Sequence, residues 1–140
     1  MKLNDLISDF DNLRDNFNNY TRTQSLTKTS LNEYQHRFMD IKSKLRPWKK
    51  EVQGEWMKRD DKAATAYKGR LAISLSRGEI EGYDKMSLNQ ANNYASSTPH
   101  YEKFVEERAF YKESLVNLQD MRDDCQGYIN LCKDYLKDVY

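Results

Sequence analysis

Only two prolines and five glycines occur in the 140 residues. So few breakers leave few turns, which argues against an all-β fold. Apolar material is also short. Hydrophobic residues make up 38% of the chain and charged residues 32%, whereas typical globular domains reach about 45–50% apolar with glycine counted. No uninterrupted apolar run of about 18 residues exists, which excludes a membrane span of the usual kind. The first ten residues, MKLNDLISDF, turn polar within four positions and carry Asp5 and Asp9. They lack the apolar stretch of a signal peptide, and a cytoplasmic location is expected. Cysteine occurs only at Cys125 and Cys132. On one helix that spacing is about 10.5 Å of rise, beyond the roughly 7 Å over which two Cα atoms can be bridged. The pair reads as small apolar filler in a reducing compartment, with an inter-chain disulfide as the alternative.

Catalytic constellations are missing as well. His36 and His100 lie far apart with no second ligand at metal spacing, and no Cys-x-x-Cys, His-Glu-x-x-His or phosphate-binding glycine loop is present. The neighbouring carboxylates Glu106/Glu107 and Asp123/Asp124 diverge by about 100° on a helix, a poor arrangement for paired acid–base work. No catalytic residue, metal or cofactor is predicted, and the chain reads as a non-enzyme.

What is present is charge, unevenly placed. The formal net charge is +1, yet the ten tyrosines and five phenylalanines argue against plain disorder. Residues 1–41 carry five basic and six acidic groups, a net of −1. Residues 42–77 carry eleven against four, a net of +7, and residues 78–140 carry seven against twelve, a net of −5. A basic arm inside an acidic chain is the footprint expected for a polyanionic partner, the alternative being a solvated face paired with an acidic neighbour. Its dense part holds Lys49, Lys50, Lys58, Arg59, Lys62, Lys68 and Arg70, with Arg77 at its end and Trp48, Trp56 and Tyr67 interleaved. Bases that track a backbone, beside aromatic faces on which nucleobases stack, are the ingredients of single-strand binding.

Periodicity supplies the fold. Leu3, Leu6, Ile7, Phe10, Leu13, Phe17 and Tyr20 recur at three- and four-residue steps and predict an amphipathic helix over 2–20. Residues 21–29 read as a linker, and Ser30 with Glu33 has the spacing of a capping box. Leu31, Tyr34, Phe38, Ile41, Leu45, Trp48 and Val52 form a heptad seam. Pro47 predicts a kink or break there, after which the pattern resumes to Leu75 and stops at the Arg77–Gly78 turn. A short helix is expected over 86–95. Thr98 and Pro99 then open the longest pattern: Tyr101, Phe104, Arg108, Tyr111, Leu115, Leu118, Arg122, Cys125, Ile129, Cys132 and Leu136 alternate steps of three and four. A seam so narrow cannot be buried alone and must meet the central helix, other subunits, or both; its residues are read as an oligomerisation seam. Arg108 and Arg122 on the seam either reach flanking acids such as Glu107 and Asp123 or pair across an interface to fix register. The predicted fold is therefore all-α: an elongated helical hairpin or bundle with a long C-terminal heptad helix, oligomeric. Residues 1–29 form an N-terminal helix and linker, either tethered for a partner or folded back, and 30–140 form the binding and assembly domain.

In this order of elements, in Lys68-Gly69-Arg70-Leu71, in the turn at Arg77-Gly78 and in the Tyr/Leu/Cys seam of the last helix, the chain resembles the UvsY-type recombination mediators of tailed phages. It departs from them after the basic motif, where Ala72-Ile73-Ser74-Leu75 stands in place of a Tyr-Tyr-x-Gly run. The resemblance implies single-stranded DNA, a RecA-like recombinase and a single-strand-binding protein as partners. It also implies ring-like self-assembly through the last helix, Lys68 and Arg70 as the DNA-contacting pair, and a host-cytoplasmic setting. Two rival readings are a coiled-coil scaffold or assembly chaperone with no nucleic-acid role, and an inhibitor that mimics DNA with its acidic C-terminal third.

Overall fold

The computed structural model describes residues 2–139; Met1 and Tyr140 lie outside the described residues. Among these the chain is all-helical, with no strand: α1 Leu3–Thr23, α2 Lys28–Met57, α3 Asp61–Ser76, α4 Leu88–Tyr94, a 3-10 turn at Ala95–Ser97, and α5 Pro99–Val139. No described helix is long and apolar enough to cross a membrane. The helices form two compact units, one of residues 1–51 with 116–140, the other of residues 52–115. Helices α2 and α5 contribute to both. Residues 1–29 fall within the first unit, and 30–140 is divided between the two.

The first unit is built on rings from three helices. Leu6, Phe10, Leu13, Phe17 and Tyr20, the predicted stripe, are buried on α1. Phe17 meets Phe38 of α2 edge-on at 5.7 Å and Tyr128 of α5 at 5.7 Å, while Phe38 and Tyr128 stack at 4.8 Å. Of the two fates open to the N-terminal helix, the structure shows it folded back; the tethered arrangement is not the one observed. The linker is shorter than expected, because α1 runs to Thr23 and α2 begins at Lys28. The cap is Thr27, whose hydroxyl accepts the Ser30 N–H at 3.2 Å, in place of Ser30 itself. The turn is fastened by Tyr20. Its phenol oxygen accepts the Thr27 N–H at 2.9 Å, and its ring stacks on Tyr34 at 5.3 Å. Burial alone raises the Tyr20 pKa, but hydrogen bonds from Thr27 and Ser30 together outweigh it and the net shift is downward.

Pro47 lies inside α2 without ending it, so of the kink or break expected there the break does not occur. Buried Leu45 and Val52 on either side hold both turns by packing, which outweighs a proline cost of about 3 kcal/mol. The interruption falls later. Lys58–Asp60 leaves the helix, and the Asp60 carboxylate accepts the Ala63 N–H at 2.9 Å to cap α3.

In the second unit α3 packs on α4 and the 3-10 turn through Leu71, Ala72, Leu75, Ile80, Ala91 and Ala95. α3 ends in two reciprocal bonds, Gly78 N–H to Leu75 O at 3.2 Å and Glu79 N–H to Ser74 O at 3.0 Å. They require the positive φ of 70° that Gly78 adopts. Ser87 and Gln90 form the capping box of α4. Thr98 opens α5 as expected: buried, it accepts the Tyr101 N–H at 3.2 Å and donates to the Ala95 carbonyl at 2.9 Å.

Candidate nucleic-acid interface

The basic arm divides between the units. Lys49 and Lys50 belong to the first. Lys49 is half-buried and its ammonium donates to Gln119, whereas Lys50 is exposed. The other six bases belong to the second. There the turn after α2 brings Lys58 and Arg59, and α3 brings Tyr67, against the first turns of α5. Together with His100, Lys103, Phe104 and Glu107 they line a cavity of about 360 Å³. Tyr67 and Phe104 stack at 4.7 Å with 15° between their planes, and both remain half-buried. The Arg70 guanidinium lies 5.7 Å from the Tyr67 ring.

The single carboxylate of the cavity is already answered. Arg59 binds Glu107 at 3.2 Å and Glu55 at 2.9 Å, and lies 4.7 Å from the Tyr111 ring. Hydrogen bonds, first from Arg59 and then from Lys58, hold the Glu55 carboxyl below its usual value, and the Glu55 bond holds the Arg59 guanidinium above its own. Arg59 is thus a structural cation more than a free one. Lys58 shares Glu55 at 3.2 Å. Among the described residues, the side chains of Lys62, Lys68, Arg77, His100 and Lys103 make neither hydrogen bond nor ion pair, and all but half-buried Lys68 are exposed. His100 and Lys103 escaped the sequence reading because they sit in the acidic third. The Thr98–Pro99 helix start held the signal: 100, 103, 104 and 107 recur at helical spacing around Phe104.

The predicted assembly seam takes a different place in the structure. Leu118, Cys125, Ile129 and Cys132 are fully buried inside the first unit. For these four the seam is covered from within the chain, one of the outcomes open to it, and they belong to the core of the first unit. Tyr101, Phe104, Tyr111, Leu115 and Leu136 are half-buried. The two cysteines are free thiols, and burial pushes Cys125 up to about 12 and Cys132 to about 11. Arg108 does not pair with its neighbour Glu107: its guanidinium binds Asp61 and covers the Trp56 ring at 5.4 Å, beside Lys112 at 5.7 Å. Trp56, offered as a stacking platform, is therefore capped by cations. Arg122 is half-buried and its side chain pairs with no described residue.

Among the described residues no group of three His, Cys, Asp or Glu side chains is gathered as a metal ion would need. What the second unit offers is a groove of cations flanking one stacked aromatic pair, suited to phosphates on its rim and a flat ring at its centre. No protein-family model, no curated protein and no solved structure matches this chain.

Proposed function

We propose that the chain binds single-stranded DNA and acts as a recombination mediator. It would help a RecA-like recombinase load onto strands covered by single-strand-binding protein, in a host cytoplasm. The observation that carries the binding step is the Tyr67–Phe104 stack, which lines one cavity with unpaired His100 and Lys103 and, through Tyr67, shares α3 with unpaired Lys62 and Lys68. A strand crossing this face exchanges counterions for lysines and stacks a base against Tyr67, a sequence-tolerant mode of recognition. The recombinase-loading step is supported by the resemblance at Lys68-Gly69-Arg70-Leu71 and the long last helix. Ring assembly would multiply weak contacts on one strand. It has to use residues other than the four buried seam positions; Val105 and Phe110, 43% and 63% exposed, are apolar residues that α5 leaves uncovered in the second unit.

Polarisation titrations of a labelled oligothymidylate over a salt series test the proposal. Lys68→Ala with Arg70→Ala is expected to weaken binding about tenfold or more, with the salt slope falling by about 0.7 for each phosphate no longer neutralised. Helicity is unchanged, because both side chains lie outside the core. A scaffold without a nucleic-acid role shows no salt-dependent binding in wild type, and identical titrations for wild type and double variant remove the site assignment.

A further inference from the structure

A second cationic recess lies in the first unit, between α2 and α5. Lys42 and Arg46 on α2 face Arg122 and Lys133 on α5 across a cavity of about 330 Å³, with Met39 and Ile129 among its walls. No carboxylate lines it. The helical geometry explains why. Arg122, Ile129 and Lys133 follow steps that return to one face, whereas Asp123, Asp124 and Asp134 are turned from Arg122 by about 100° or more. On α2, Asp40 is turned away in the same manner and is tied to Lys44 at 2.8 Å.

These four charges are not neutralised within the described chain. The Lys42 ammonium donates to the Gln126 amide oxygen, a neutral acceptor. The side chains of Arg46, Arg122 and Lys133 make no hydrogen bond or ion pair with any described residue. Arg122 is the most telling of them. It is half-buried on a face whose neighbours Leu118, Cys125 and Ile129 are fully buried. Its guanidinium nitrogens are not buried, so their unanswered donors are open to a ligand that enters the recess. Arginines on facing helices supply planar donor pairs that match the oxygens of a phosphate, and the lysines add point charges at its rim. The apolar walls accommodate a sugar or base. Segment-wise charge conceals this site, because Arg122 and Lys133 lie in the acidic third.

We propose that this groove is a phosphate site for a nucleotide, either a free mononucleotide or one unit of a strand. The proposal does not rest on the strand-binding reading of the second unit. Calorimetric titration of the full chain with inorganic phosphate, thymidine monophosphate and a short oligothymidylate tests it. The variants are Arg122→Gln, Arg46→Gln and the Lys68→Ala/Arg70→Ala pair. Thymidine monophosphate is expected to bind wild type and to weaken about tenfold or more in either arginine variant, which removes one set of charge-assisted hydrogen bonds. The Lys68/Arg70 pair leaves it unchanged. Tighter binding of the oligothymidylate that is also abolished with Arg122 supports the strand as source, and equal binding of both supports the free nucleotide. Should Arg122→Gln lose its helical circular dichroism, the exposed Arg46 variant decides. Absence of binding by all three probes at millimolar concentration, or equal binding in both arginine variants and wild type, overturns the site. Binding of inorganic phosphate without thymidine monophosphate overturns the nucleotide assignment.

Discussion

In the first unit Phe10, Phe17, Phe38 and Tyr128 converge from three helices onto one ring cluster, whereas in the second Ala72, Ala91 and Ala95 sit where helices meet. Rings bury a large apolar area each. Alanines let backbones approach but bury little apiece, and the second unit adds charge contacts at its edges: Arg59 with Glu55, Glu107 and Tyr111, and Arg108 with Asp61 and Trp56. The difference shows how a chain lean in apolar residues divides its means. One unit concentrates its aromatic residues in a core. The other keeps Tyr67 and Phe104 half-buried beside free lysines, where they are available to a ligand.

The sharpest way to break this comparison is to hollow each core in turn. Phe38→Ala removes a fully buried ring touching three others and is expected to cost about 3–5 kcal/mol in urea unfolding. Leu75→Ala, also fully buried, is expected to cost about 2–5 kcal/mol. Hydrogen exchange separates the two: the Leu75 variant is expected to lose protection in α3 and α4 first, with α1 retaining its own. Equal loss everywhere would mean that the two units open as one.

A smaller effect distinguishes them by pH. Both thiols belong to the first unit, and their folded pKa values lie above the ordinary 9.0. The unfolded chain therefore releases these protons first, so the stabilisation is complete below pH 9.0 and declines as pH rises toward about 11 for Cys132 and 12 for Cys125. Each thiol removes about 1.4 kcal/mol per pH unit in that window. The Cys125→Ala/Cys132→Ala variant is expected to lose this part of the alkaline slope in denaturant melts, while the second unit's exchange rates keep their wild-type pH dependence. The smallest effect is ionic. Arg59→Ala is expected to destabilise the second unit by about 1 kcal/mol at low salt and by less at high salt, the pairs being partly exposed. A salt-independent loss would instead assign the Arg59 contribution to its packing on Tyr111.

Much of the fold is legible in the residues themselves. The stripe from Leu6 to Tyr20, the seam from Leu118 to Cys132, the Thr98–Pro99 start and the Gly78 turn all match, because each rests on a local rule of spacing or capping. What escapes local rules is tertiary. Steps of three and four survive the interruption at Lys58–Asp60, so periodicity alone runs α2 into α3, although Asp60 is a good cap. Pro47 is overridden by packing of Leu45 and Val52. The first unit is discontinuous, taking α5 from more than sixty positions downstream of α2's contribution. The same distance hides the sites: His100, Lys103, Arg122 and Lys133 sit in a segment whose net charge is negative, and only folding gathers its cations, around a cavity whose one acid is paired with Arg59 and around a recess with none. The seam leaves one point open, since a narrow stripe predicts that something covers it without saying whether another chain does.

The positions of the two tryptophans carry a practical consequence. Trp48 falls in the first unit and Trp56 in the second. Trp56 lies beneath the cations of Arg108 and Lys112, whereas Trp48 has no such cover among the described residues. Indole emission responds to nearby charge and solvent, so the chain comes with one native fluorophore for each half. A Trp→Phe replacement at either position leaves a protein whose remaining half can be watched by light, without any attached dye.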